Sequence, residues 1–433
     1  MNILVIGNGF DLAHGLPTKY GDFLEFVKVI RQVIKKRNGE SLSDLKWGNI
    51  NWKIKELIIN SKMDGNKGIF SQERMCNELL NQNFWIDYFL QCDMYQKENW
   101  IDFESEISRV IRSIDDDMRA DKFGENTIVT KFTQPYLAEY FLDNYELMEQ
   151  ARELEVLAEI QNLEKSEGKK WTVSQISEYK NQYEEQHPIE DVKEKVTYKQ
   201  MIQRLEDDLN KLDRTLEIYL VDYVGNISDV KRKSEFDNLN LDHVLSFNYS
   251  DTYERLYGDG KKIEYDYIHG KADINNTIES NNMVLGIDEY LKPKRRNKEI
   301  SFIAFKKFFQ RIYKGTGCEY KDWMYAIKES AKSIEAKLRA EYPIQIPFAK
   351  FTNDARHKLY IFGHSLDITD KDILRDLILN DNVYTTIFYL DKKDLGAKIA
   401  NLVKVIGQDE LIRRTGGSTK TIEFNLQQDM MAR

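Results

Sequence analysis

The sequence predicts an α/β protein: a doubly wound, mainly parallel sheet with a large all-helical insertion. Three observations predict it. Short apolar or β-branched runs bounded by turn residues sit at the two ends of the 433-residue chain. Helical patterns alternate with several of these runs, which is the signature of βα units. Between about Gly39 and Asn238 helical periodicity continues with no convincing strand. The chain therefore divides into an α/β core of residues 1–38 and 239–433 and a helical insertion of residues 39–238.

The elements follow in order. "NILVIG" at Asn2 reads as the first strand, because its apolar run stops at a Gly-x-Gly turn, and Thr18 to about Lys36 reads as the first long helix. In the insertion, "ISRVIRSI", "ELMEQARELEVLAEIQNLEK" and "MIQRLEDDLNKLDRTLEIYLVDYV" carry helical periodicity. Leu205, Leu209, Leu212, Leu216 and Leu220 recur at steps of four, three, four and four, one stripe that must be buried. Later strands are read at "HVLSFN", "IEYDYIHG", "NMVLGI", "KLYIFG", "TTIFYLD" and, more weakly, "KTIEFNL". Helices are read at Ser301 to Ile312, Trp323 to Arg339, Lys371 to Leu379 and Lys393 to Val405.

Composition bounds the function classes. Hydrophobic residues make up 41% and charged residues 31%, a globular balance, and the net charge of -9 has the wrong sign for wholesale binding of a polyanion. Nucleic acid is therefore not an expected partner. The local exception is Lys292 to Lys314, where nine of 23 residues are Lys or Arg, read as a solvated surface with Phe302, Phe305, Phe308 and Ile312 packing inward on one helix face, with a nucleic-acid or dinucleotide phosphate contact as the alternative. The first apolar run is too short for a signal peptide or a membrane span, so a cytoplasmic protein is expected, with no membrane partner. Cys76, Cys92 and Cys318 form no Cys-x-x-Cys pair and read as reduced, buried thiols.

Candidate site residues come from the carboxyl ends of the strands, where a parallel sheet opens its ligand crevice. These ends read Gly7-Asn8-Gly9-Phe10-Asp11, Phe247-Asn248-Tyr249, His269-Gly270, Gly286-Ile287-Asp288 and Gly363-His364-Ser365-Leu366. Glycines in the first turn lack Cβ atoms and would let backbone N–H groups face phosphate oxygens at a helix N-terminus. The Gly-x-Gly-x-x-Gly spacing is not kept, since Leu12 holds the sixth place and the next glycine is Gly15. "GHSLD" falls short of a hydrolase elbow: Asp367 replaces the second glycine, and no histidine follows Ser365 to complete a triad in the required order. His14, His269 and His364, with Asp11 and Asp288, offer an alternative divalent-cation set, without the helical spacing of a His-Glu-x-x-His motif; no metal is expected.

At these residues the chain resembles a known family. "GNGFDLAHGLPTKYGDF", "NWIDFE", "FNYSDT", "IHG" and "IFGHSLDITDKDI" look like the AbiH family of bacterial abortive phage-infection proteins. That family in turn resembles the Rossmann-like, sirtuin-like NAD-binding fold. Gly7-x-Gly9 followed by Gly15-Leu16-Pro17 matches the sirtuin-like Gly-Ala-Gly-Ile-Ser-x-x-x-Gly-Ile-Pro element position for position. Asn248 falls on that superfamily's asparagine, His269 on its His-Gly element, and Gly363 with Ser365 on its ligand loop. The resemblance implies NAD contacts from Gly7, Asn8, Gly9, Phe10, Asp11, Gly15, Pro17, Gly363, His364 and Ser365, with Asn248 and His269 catalytic. Ser250 replaces the aspartate of the asparagine element, Asp11 replaces a serine, and zinc-binding cysteines are absent. These departures argue against protein deacylation and leave cleavage of the dinucleotide itself.

The implied reaction is hydrolysis of NAD, the substrate, to nicotinamide and ADP-ribose, as sirtuin-like antiphage proteins do. Its oxocarbenium-like transition state needs the ribose hydroxyls held and a water placed on the opposite face. An asparagine offers a donor and an acceptor together, and a histidine can serve as general base. Asp11 could bond a ribose hydroxyl, cap the helix behind it, or repel the pyrophosphate. Two other classes fit the same residues: a non-catalytic module sensing NAD or ADP-ribose, and a metal-dependent nuclease-type toxin built on the three histidines and the basic stretch. A homo-oligomer is expected, with a phage-derived trigger or an operon partner.

Overall fold

A computed structural model describes residues 1–35, 46–63, 79–98, 101–120, 124–129, 132–141, 156–166, 168–186, 196–237, 239–260, 262–341 and 356–427. Six strands form one sheet: β1 (Asn2–Ile6), β2 (His243–Ser246), β3 (Glu264–Tyr267), β4 (His357–Phe362), β5 (Val383–Tyr389) and β6 (Ile422–Leu426). Their order is β3-β2-β1-β4-β5-β6, and every neighbouring pair is parallel. The fold is thus mixed α/β with an all-parallel sheet, and the weakly read "KTIEFNL" is a true edge strand.

Burial explains why the strand sequences are apolar throughout. In β1, Ile3 and Val5 join a core cluster with Trp323, Ile327, Leu374 and Leu402, contributed by the helices Tyr320–Glu341, Lys371–Ile378 and Lys392–Ile406. Leu4 and Ile6 join a second cluster with Phe10, Phe236, Tyr253 and Tyr257. Successive strand side chains point to opposite faces, so both faces of the sheet are covered, as a parallel sheet requires.

The chain forms two compact units. The first comprises Met1–Phe103, Asn210–Glu289 and Phe305–Arg433 and holds the whole sheet. Within it the helix Tyr20–Lys35 is fixed by aromatic packing, with Tyr20 stacked on Phe103 at 4.1 Å between centroids. Phe103 belongs to the "NWIDFE" motif, whose Asn99 and Trp100 lie outside the described residues. The second unit comprises Glu104–Leu209 and Tyr290–Ala304, and there Arg295 pairs with Asp115 at 3.0 Å and with Glu299. Among the described residues 39–238 no strand occurs, and all five leucines of the predicted stripe are buried. Of "ELMEQARELEVLAEIQNLEK", residues 156–165 are helical and the rest lies outside the described residues.

Two neighbouring expectations are corrected, for one reason. "NMVLGI" is not a sheet strand, and Ser301 to Ile312 is not one helix. The two segments pair with each other: the Ile287 N–H donates to the Phe305 carbonyl at 2.7 Å, and the Lys307 N–H to the Ile287 carbonyl at 3.0 Å. Lys306 is therefore extended, which separates a 3₁₀ turn at Ile303–Phe305 from the helix Lys307–Lys314 and resets the helical phase. Phe302 and Phe305 are buried as expected, but Phe308 and Ile312 are exposed, and Lys307 and Gln310 point inward instead. The cysteine expectation is corrected too. Cys92 is half-buried and Cys318, in the turn before Tyr320, is exposed, both as free thiols, while Cys76 lies outside the described residues.

Candidate functional site

The carboxyl ends of parallel strands open on one edge, and here the chain changes direction across the sheet between β1 and β4. The turn after β1 and the turn after β4 pack backbone against backbone. The Gly7 N–H donates to the Phe362 carbonyl at 3.1 Å and the Gly9 N–H to the Gly363 carbonyl at 2.9 Å. Gly363 has φ +68°, and a Cβ there would lie 2.2 Å from the Phe10 nitrogen. A Cβ on Gly9 would lie 2.7 Å from the Gly363 Cα, and one on Gly7 2.8 Å from the His364 Cα. The glycines are required for this approach, and the two N–H groups read as phosphate donors are engaged by carbonyls.

The remainder of the first loop is closed on itself. The Thr18 hydroxyl donates to Asn8 Oδ1 at 2.6 Å, the Tyr219 hydroxyl to the Pro17 carbonyl at 2.7 Å, and Gly15 at φ +73° stands in open space. Phe10 is wholly buried against Phe236, Tyr253 and Phe362. His14 is a core imidazole: Nδ1 donates to the Phe10 carbonyl at 2.7 Å, which leaves Nε2 to accept from the Tyr257 hydroxyl at 2.8 Å. Burial lowers its pKa.

Asn248, at the end of β2, ties that strand end to the first turn. Its Nδ2 donates to the Gly7 carbonyl at 3.0 Å, and its own N–H donates to Ser246 Oγ at 3.1 Å. Beside it Asp11, 1% exposed, accepts from the Ser250 hydroxyl at 2.5 Å, while Oδ1 is buried without a partner. Burial pushes the Asp11 carboxyl up to about 6, opposed by the hydrogen bond from Ser250 and by the nearby hydroxyl of Thr252, which itself donates to Ser250 at 3.1 Å. Ser250, a departure from the sirtuin-like pattern, thus serves Asp11, itself a departure.

His269 and His364 meet on a residue that sequence reasoning did not single out. Asp370 Oδ1 lies 3.6 Å from His269 Nε2, and Oδ2 lies 3.4 Å from His364 Nε2. Lys307 stands behind, its Nζ 3.9 Å from Oδ1. All four side chains are buried. The Leu366 N–H donates to His364 Nδ1 at 2.9 Å, so the ring's N–H is on Nε2, toward Asp370. That contact holds Leu366 at φ +59°, an uncommon conformation for a branched side chain. Burial, with Lys307 and Arg311 adding to it, lowers His269 to about 4 despite Asp370. Burial alone would raise Asp370, but His269, His364 and Lys307 hold its carboxyl well below the usual range. The signal lay in "GHSLDITD", where Asp370 follows His364 by six residues across a 3₁₀ turn, Ile368–Asp370.

On the β4 to β6 side of this edge lies a cleft of about 660 Å³. Gly9, Gly15, Gly363, His364 and Ser365 line it, together with Lys231, Lys233 and Lys398. Lys398 Nζ donates to the His364 carbonyl at 2.7 Å. Asn248 and His269 lie outside the lining, and His364 belongs to both the cleft and the Asp370 cluster. The structure therefore gathers Gly7, Gly9, Asn248, Gly363 and His364 at one point and joins His269 to them through Asp370. Among the described residues no group of three or more His, Cys, Asp and Glu is placed to hold a metal ion, and no helix is long and apolar enough to cross a membrane.

With this geometry in place, the comparisons identify the family. The chain belongs to the family described as Bacteriophage abortive infection AbiH, whose pattern matches residues 3–390. Membership implies a role in abortive phage infection. Neither curated proteins nor solved structures compared with the chain match it.

Proposed function

We propose that the chain is an abortive-infection effector that hydrolyses NAD to nicotinamide and ADP-ribose. The observation that carries this reading is the convergence of the first turn, Asn248, His269 and the 363–365 loop beside one cleft at the carboxyl edge of the sheet. The strand order 3-2-1-4-5-6, all parallel, is that of doubly wound, Rossmann-like dinucleotide-binding sheets, which place their ligand where the order reverses. A dinucleotide in the cleft would have Ser365, Lys231 and Lys233 within its walls. His364, shared with the Asp370 cluster, would lead its reactive end toward His269. His269, neutral at physiological pH, would take a proton from the attacking water, and the Asn248 carbonyl oxygen would hold that water or a ribose hydroxyl. A phage-derived trigger or an operon partner would release the activity, in a homo-oligomer.

The test is a nucleotide profile of cells expressing the full chain during phage infection. NAD should fall while nicotinamide and ADP-ribose rise, and neither should happen with His269→Ala or with a folded Asn248→Ala. Aborted infection with NAD unchanged refutes the reading. The engagement of the Asn248 amide by Gly7 favours a second reading, a non-catalytic NAD or ADP-ribose sensor. That module would give saturable binding by calorimetry with no nicotinamide released.

A further inference from the structure

We infer that Asp370 is a positioning residue: its carboxylate fixes His269 with the proton on Nε2, leaving Nδ1 as the basic atom, and couples that ring to His364 on the cleft. The inference rests on the NAD-hydrolysis reading for its catalytic consequence, but its geometry stands apart from it. Two imidazoles approach opposite oxygens of one buried carboxylate, at 3.6 Å and 3.4 Å. One of them has its tautomer set independently, because the Leu366 N–H occupies His364 Nδ1. His364 must therefore offer N–H to Asp370 Oδ2. For His269 the charged oxygen that faces Nε2 among the described residues is Asp370 Oδ1; both atoms are buried without a hydrogen-bond partner, and the Lys307 ammonium lies 3.9 Å from the same oxygen. At 3.6 Å the pair stands just beyond hydrogen-bond distance; an N–H on Nε2 lets it close into a charge-assisted hydrogen bond, whereas a lone pair there would set two acceptors against each other.

The water oxygen bonds to C1′ of the nicotinamide ribose as the C1′–N bond breaks, and that bond's electron pair passes to the nicotinamide nitrogen, cancelling its positive charge. The water's proton goes to His269 Nδ1. The resulting imidazolium lies against the Asp370 carboxylate, which compensates its charge. Lys307 and Arg311, on the helix packed behind, oppose it.

The experiment uses the full chain labelled with ¹⁵N-histidine, as wild type, Asp370→Asn and Asp370→Glu, with NAD as the probe. In the wild type the ¹⁵N shifts should show His269 and His364 with N–H on Nε2. Asp370→Asn should lose that form at His269, and Asp370→Glu should keep it. Nicotinamide release should fall on the order of 10²–10⁴-fold in kcat for Asp370→Asn with KM nearly unchanged, and recover in part for Asp370→Glu. An Nδ1–H form of His269 in the wild type overturns the inference, as does wild-type kcat in Asp370→Asn. If Asp370→Asn fails to fold, the wild-type and Asp370→Glu spectra still decide it. Expected tautomers with no nicotinamide release from wild type in infected cells would refute NAD hydrolysis and leave the positioning role standing.

Discussion

Asp11→Asn replaces the buried carboxylate beside the first turn with an uncharged group of the same shape. Asp11 is raised from 3.8 to about 6 because burial penalises its charge more than Ser250 and Thr252 compensate. A folded-state pKa above the unfolded value means that the fold binds the proton more tightly. Its contribution is fully present below about 3.8 and is lost as pH rises through about 6. Roughly two pH units at 1.36 kcal/mol each give a cost of about 3 kcal/mol carried by the ionised form at pH 7.5. The asparagine does not ionise, and its side chain can still accept from Ser250. The variant should therefore gain stability over wild type at pH 7.5 by up to that amount and gain little at pH 4. Thermal melts of both proteins across pH 4 to 8 measure the difference, which cancels the titration of other groups. An Asp11→Asn chain less stable than wild type by the same margin at every pH would refute the reasoning.

Gly363→Ala should destabilise by more than the roughly 1–2 kcal/mol of left-handed strain, because the new Cβ meets backbone that cannot swing aside; soluble yield and melting temperature read this out. Glu217→Ala should cost about 3–5 kcal/mol, since Arg214, 1% exposed, loses its carboxylate at 2.5 Å, and Asn276 and Asn281 lose an acceptor. Urea unfolding checks it. His269→Gln should flatten the acid limb of stability: His269 is lowered to about 4, so its contribution is present above about 6.5 and is lost as pH falls through 4. Melts from pH 7 down to pH 4 test this.

The strand and helix content was legible because burial on both faces leaves apolar runs, and because amphipathic spacing survives in helices such as Lys392–Ile406. "NMVLGI" was illegible because composition reports burial and not partners. Met283, Val284 and Leu285 are fully buried, yet their carbonyls are met by side chains: Lys314 for Met283, the Tyr249 hydroxyl at 2.9 Å for Val284, and Gln310 at 3.3 Å for Leu285. Lys307 looks like surface charge in the sequence because no local pattern announces the distant Asp370. The candidate site was legible in its turns and not in its support. Asn248 and His269 were named from strand ends, whereas Asp370 sits in a short 3₁₀ turn whose relevance is purely tertiary.

A Gly-x-Gly after a strand is read as a cradle because it exposes N–H groups. Here the missing Cβ atoms let the turns after β1 and β4 touch, and the same contact occupies the Gly7 and Gly9 N–H groups. An anionic ligand on this edge must draw its donors from elsewhere, and Ser365, Lys231, Lys233 and Lys398 line the cleft, with the carboxylates of Asp229 and Asp394 among them. Glycine packing then acts on function indirectly. By holding the two turns together, with the Asn248 amide as a third tie, it sets the position of His364, and through Asp370 that of His269. A change at Gly7, Gly9 or Gly363 would therefore disturb the imidazoles as well as the fold, whereas loss of Lys231 or Lys233, which line the cleft without the Lys398 bond to the His364 carbonyl, should weaken the proposed anion binding and leave both rings in place.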